Sequence, residues 1–163
     1  MPEISQEFAL DTSFESRLQE RRKQRESRTT ETFDTPGFED LFKVEMQAIG
    51  YKRLADLTNR HARVRDESLR TLYIAADQVL AATVAFHKVM PDGTLELAEG
   101  ATWMALAKAF DPTLDGTVRP RAALIRMLDG TGVLELCNDW YVWNTRGNAQ
   151  VDKELGADFQ ETT

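Results

Sequence analysis

Residues 66–86, DESLRTLYIAADQVLAATVAF, carry the strongest periodic signal in the chain. Leu69, Leu72, Tyr73, Ala76, Val79, Leu80, Val84 and Phe86 recur mostly at steps of three and four, the spacing of one buried face of a helix. Asp66 and Glu67 open the stretch, where the positive end of the helix dipole favours acids. The pattern predicts a central helix over about 66–86, and its second half, VLAATVAF, is apolar nearly all round and needs covering on several sides.

Downstream, Met90-Pro91-Asp92-Gly93-Thr94-Leu95-Glu96-Leu97 reads as a hairpin, because Asp-Gly supplies the positive φ of a tight turn. It would pair roughly 86–90 with 94–98. Thr102 is the expected N-cap of a helix with Trp103, Leu106, Ala107 and Phe110 on one face. Asp111-Pro112 stops that helix. After the loop DPTLDGTVRP, Pro120 fits a first helical turn. Leu124, Met127 and Leu128 face inward and Asp129-Gly130 ends the element. A last helix over about 132–145 follows from Val133, Leu136, Cys137, Trp140 and Tyr141, with Gly147 as its cap. Residues 148–163 hold Asp152, Glu154, Asp158 and Glu161 against Lys153 alone, which predicts an acidic, mobile tail.

Upstream, Tyr51, Leu54 and Ala55 have helical spacing and predict a short helix over about 51–62. Before it, Phe42, Val44 and Met46 alternate with Lys43, Glu45 and Gln47, the signature of a half-buried strand. Thr35-Pro36-Gly37 is a turn signal. Residues 1–34 carry 6 basic and 8 acidic side chains with few large apolar ones. They read as a charged, flexible arm able to form one helix over 16–28, without a continuous apolar stripe. The expected fold is therefore mainly α with a small β element (α+β): a globular domain over 35–147, the arm over 1–34 and the tail over 148–163.

Composition limits the function. The net charge is -7, whereas wide nucleic-acid binding needs Lys and Arg to replace counterions. The cluster Arg21, Arg22, Lys23, Arg25 is interleaved with glutamates and reads as a solvated helix face. No stretch approaches the roughly 18 apolar residues of a membrane span. A secretory signal is not expected either, since no basic start leads into an apolar run. Lone Cys137 sits on the apolar stripe of the last helix and reads as a small buried hydrophobe.

Phosphate-loop, dinucleotide, nucleophile-elbow and zinc-protease motifs are all missing. His61 and His87 are 26 residues apart with nothing local to make a metal site. No carboxylate pair stands in an apolar setting that would tune it for acid–base work. The three Asp-Gly-Thr triplets, at 92–94, 115–117 and 129–131, fall at element boundaries and read as turns. The chain is therefore expected to be no enzyme and to use no cofactor or metal. The aromatic residues of the C-terminal third point instead to protein contacts, because Trp and Tyr dominate binding hot spots. Trp140 and Tyr141 are expected in the core and Trp143 as a half-exposed cover. Phe42, Tyr51, Trp103 and Trp143 are the candidate partner-binding residues.

Residues 33–145 resemble the tail assembly chaperones of long-tailed bacteriophages, especially those of actinobacterial hosts. The features that carry the resemblance are FDTPGFEDLFKVEMQAIGYKRL, RVRDE joined to LRTLYIAADQVLAATVAF, the MPDGTLEL hairpin, the Trp103 helix and RPRAALIRMLDGTGVLELCNDWYVWN. The arm before 33 has no counterpart in that pattern. The resemblance implies a non-enzymatic protein that binds the tape measure protein, keeps it soluble and helps recruit tail tube subunits. It also implies residence in the host cytoplasm during assembly and absence from the mature virion. A longer frameshifted form of the chain, diverging near 155–163, is a further implied partner; self-association is left open. The alternative is a structural virion component such as a head–tail connector or tail-completion protein.

Overall fold

The computed structural model describes residues 11–27 and 30–161. In chain order the elements are α1 (Thr12–Ser27), β1 (Thr30–Asp34), β2 (Phe42–Gln47), α2 (Tyr51–Asn59), α3 (Glu67–Ala82), β3 (Thr83–Val89), β4 (Leu95–Leu97), α4 (Trp103–Phe110) and α5 (Pro120–Glu161). The strands form one antiparallel sheet in the order β1-β2-β3-β4. The α+β class expected from the sequence is the observed one, with more sheet than the hairpin and the single strand predicted.

The alternating stretch forms β2 as expected: Phe42, Val44 and Met46 are buried and Lys43, Glu45 and Gln47 are only half-buried. The buried face receives α3, α4 and α5. Phe33 of β1 lies opposite Val44, and Phe86 of β3 lies opposite it on the other side. Thr35 is fully buried and its hydroxyl donates to the Phe42 carbonyl, while Gly37 takes φ +87 to complete the turn.

The central helix begins where the acids indicated. Asp66 is its N-cap, accepting from the Leu69 N–H at 2.9 Å. It ends four residues early, however. Thr83 is already extended (φ -66, ψ 127), and 83–89 is a strand, not the last turn of a helix. Two β-branched residues, Thr83 and Val84, meet the open edge of β2, and the ladder replaces helical hydrogen bonds. Val84 is an extra residue between the pairs Met46↔Thr83 and Glu45↔Ala85. This bulge changes the strand's parity, leaving Val84 45% exposed and putting Thr83 on the Met46 side. There the Thr83 hydroxyl donates to the Val79 carbonyl at 2.7 Å and accepts from the Trp103 indole N–H at 2.9 Å.

The hairpin, the α4 cap and the α5 start follow expectation. Gly93 has φ +85, Thr102 Oγ1 accepts from the Ala105 N–H at 3.0 Å, and Pro120 opens α5. Asp92 and Asp115 accept from the backbone of the threonine two residues on, so both triplets are turns. The third triplet breaks α5: Asp129 has φ 59 and ψ 167, and helical geometry resumes beyond it. There the backbone passes close to the Thr35-Pro36-Gly37 turn, since a Cβ on Gly132 would lie 3.5 Å from Pro36 Cβ. The core centres on Trp140, Leu136, Leu124 and Val133 against Val44, Met46 and Val79.

Further features differ from the sequence reading. The segment read as an arm holds the expected charged helix, α1, but also β1, whose five residues pair with β2. Residues 1–10 and 28–29 of that segment lie outside the described residues. Gly147 does not cap α5, whose backbone stays helical to Glu161, across most of the segment read as a tail. Tyr141 is 44% exposed rather than buried, since Trp140, one position earlier, takes the inward direction.

Candidate functional site

The four partner-binding candidates do not form one surface. Phe42 and Trp103 are buried and pack edge to face, ring centroids 6.2 Å apart, with Phe86 between them in the same core. Phe42 lies wholly within this core, whereas Trp103 also lines a groove beside the central helix. Trp143 is half-buried and packs edge-on against Phe33 at 5.8 Å. Tyr51, at the start of α2, is 70% exposed. Cys137 is buried as expected; its thiol donates to Gln78 Oε1, and burial pushes it up to about 11.

The sequence reading missed a polar cluster beside the central helix. His61, in the α2–α3 connection, is 6% exposed, and its Nε2 lies 2.6 Å from Asp77 Oδ2. Arg121, in the first turn of α5, donates to Asp77 through Nε and Nη2, each at 3.0 Å. Its guanidinium also lies 4.8 Å from the centre of the Tyr73 ring. The Asp77 carboxylate fixes the proton on His61 Nε2. Burial acts to raise the Asp77 carboxyl, but hydrogen bonds from Arg121 and His61, and their charges, outweigh it and hold it below the ordinary carboxylate value. The cluster thus ties the α2–α3 connection, α3 and α5 at one point. A signal was available: Asp77 stands four residues after Tyr73 and three before Leu80 on an apolar stripe, where an acid requires a buried partner.

His87 belongs to a different place, the outer face of the sheet, where its Nε2 is 3.6 Å from Glu45 Oε1. Among the described residues no group of three or more His, Cys, Asp or Glu side chains is arranged to hold a metal ion.

Above the cluster a groove runs along the central helix. Its first part, about 640 Å³, has Tyr73 and Leu80 of α3 facing Pro120 and Ile125 of α5, with Arg119, Arg121 and Arg126 on the α5 side. An adjoining part of about 420 Å³ shares Leu80 and Pro120 and continues to Val84, Trp103 and Met104. From Tyr73 to Leu80 the floor covers two helical turns, about 10 Å. The fold and this groove define an α+β protein with a shallow apolar channel beside its central helix. No protein-family model matches the chain, and neither a curated protein nor a solved structure matches it. Among the described residues no helix is long and apolar enough to cross a membrane.

Proposed function

We propose that this chain is a tail assembly chaperone of a long-tailed bacteriophage, acting by protein–protein contact. It binds the tape measure protein, keeps that long helical chain soluble and helps recruit tail tube subunits around it. The observation that carries the reading is the groove along α3. Its apolar floor of Tyr73, Leu80 and Ile125 suits the i, i+3, i+4, i+7 stripe of an amphipathic helix. The ordered resemblance of residues 33–145 to such chaperones points the same way. The net charge of -7 favours a soluble carrier over a nucleic-acid binder.

The test is co-expression of this chain with the long helical protein encoded immediately downstream of its gene, followed by affinity capture and a solubility assay. The long protein is expected to become soluble and to co-purify, and the chain to be missing from finished particles. If the long protein stays insoluble and the chain is found in mature particles, the structural-component reading replaces this one.

A further inference from the structure

We infer that the groove takes an acidic amphipathic helix, with its apolar stripe on Tyr73, Leu80 and Ile125 and its carboxylates against the arginines of the α5 wall. This rests on the docking reading above and adds the chemistry and the direction of the ligand. The chain as a whole is acidic, at -7, yet the groove gathers Arg119, Arg121 and Arg126 within eight positions. Arg121 and Arg126 each hold an aspartate, Asp77 and Asp111, but the acids are the more buried partners. Their side chains are 9% and 14% exposed, against 37% and 61% for the two arginines. The side chain of Arg119 has no hydrogen-bond or ion-pair partner among the described residues. An approaching ligand therefore meets three guanidinium groups against the single lining carboxylate of Asp77, a local excess of positive charge in a chain that is acidic as a whole.

The polarity is asymmetric along the groove. The adjoining part, around Val84, Trp103 and Met104, is lined by no charged residue. The ligand helix accordingly places its acidic turns at the Arg119 end and its neutral apolar turns at the Trp103 end. A basic helix is repelled at the first end, which is how such a wall selects among amphipathic partners.

The test uses the full chain and two synthetic helical peptides of about 20 residues. Each has one leucine face; one peptide is flanked by glutamates and the other by lysines. The glutamate peptide is expected to bind about tenfold more tightly than the lysine peptide, with the difference shrinking as salt rises. Arg119→Glu is expected to lower its affinity about tenfold. Ala122 lines the same part of the groove, so Ala122→Glu should do the same, and it serves as the folding control, since an acid in the first turn of α5 favours the helix. Equal affinities, a lysine preference, no binding of either peptide, or an Arg119→Glu variant indistinguishable from the parent overturns the inference. Binding of a mixed-sequence DNA duplex with the same arginine dependence also overturns it. If Arg119→Glu still captures the downstream long protein and the peptides show no preference, the chaperone reading stands and this inference fails. Peptide preference without capture of the long protein supports the inference and sinks the chaperone reading.

Discussion

Asn144 of α5 pairs with both backbone groups of Ile49, accepting from its N–H at 3.1 Å and donating to its carbonyl at 2.9 Å. It acts as a piece of strand supplied by a side chain 95 positions away. Ile49 lies two residues beyond the end of β2, where the chain leaves the sheet and its polar groups lose ladder partners. One helical turn earlier, Trp140 donates to the Gln47 carbonyl at 2.9 Å, so two side chains of α5 close the end of β2. With Asn144 only 4% exposed, water does not take over if the amide is removed. Asn144→Ala is expected to cost about 2–3 kcal/mol, and Asn144→Asp to give no rescue because a carboxylate cannot donate to the Ile49 carbonyl. Urea unfolding of the two variants measures this; a loss under about 0.5 kcal/mol would show that the pairing contributes little.

Asp129 stores strain. Its φ of 59 and ψ of 167 lie in a region that only glycine occupies freely. Asp129→Gly is expected to stabilise the protein by about 1 kcal/mol, which for a chain of this size is a rise of about 3 °C in Tm. Asp129→Ala should give no such gain, since it keeps the Cβ. A drop in Tm on glycine substitution would mean that the Asp129 side chain contributes more than its backbone costs.

Asp77 sets an acid limit on stability. Its folded carboxyl is held below the ordinary 3.8 by Arg121 and His61 against the opposing effect of burial. A carboxyl depressed on folding adds stability that is fully present above its unfolded value and is lost as pH falls through the folded one. Asp77→Asn is therefore expected to cost about 2 kcal/mol at pH 7, less than a fully buried pair because Arg121 keeps part of its side chain in water. The gap between parent and variant should close only below pH 3.8. Urea midpoints measured from pH 7 downward decide it; a gap that closes well above that value would show that another group is responsible.

Trp143 and Phe33 stabilise the β1 edge together. Their edge-to-face contact joins α5 to the outermost strand. Trp143→Ala is expected to cost about 2 kcal/mol, and the double variant with Phe33→Ala less than the sum of the two singles. Tyr51→Ala, at a 70% exposed site, should change stability by no more than about 0.5 kcal/mol. Additive losses in the Trp143 and Phe33 cycle would show that the rings do not stabilise one another.

The contrast between α3 and β3 shows how far local pattern reaches. Leu72, Val79 and Leu80 recur at helical spacing, and the inward stripe follows from that alone; the acids Asp66 and Glu67 marked the start, where Asp66 proves to be the cap. The hairpin reading already placed 86–90 in a strand, but nothing within 83–85 announces its start, because Val84 and Phe86 also continue the apolar run of the helix. The decision came from β2, whose free edge offered Thr83 to Val89 a ladder. Tyr141 and Trp140 show the same limit: both fit a helical stripe, and packing chose one. The candidate contact residues meet the same limit. Phe42 and Trp103 are apolar and large whether they form a core or a docking surface, and only burial separates the two.

The sequence by itself determined the acidic α+β class, the helix start at Asp66, the turns and caps at Gly93, Thr102 and Pro120, the inward face of β2 and, Tyr141 apart, that of α5. These depend on contacts within a few residues or on periodicity, which a linear chain displays. Tertiary structure alone decided the β1–β2 pairing, the bulge at Val84, the Asn144–Ile49 pairing, the His61–Asp77–Arg121 cluster and the groove above it. Each joins residues far apart in the chain, and a polar side chain declares its need for a partner without naming the one that folding brings to it.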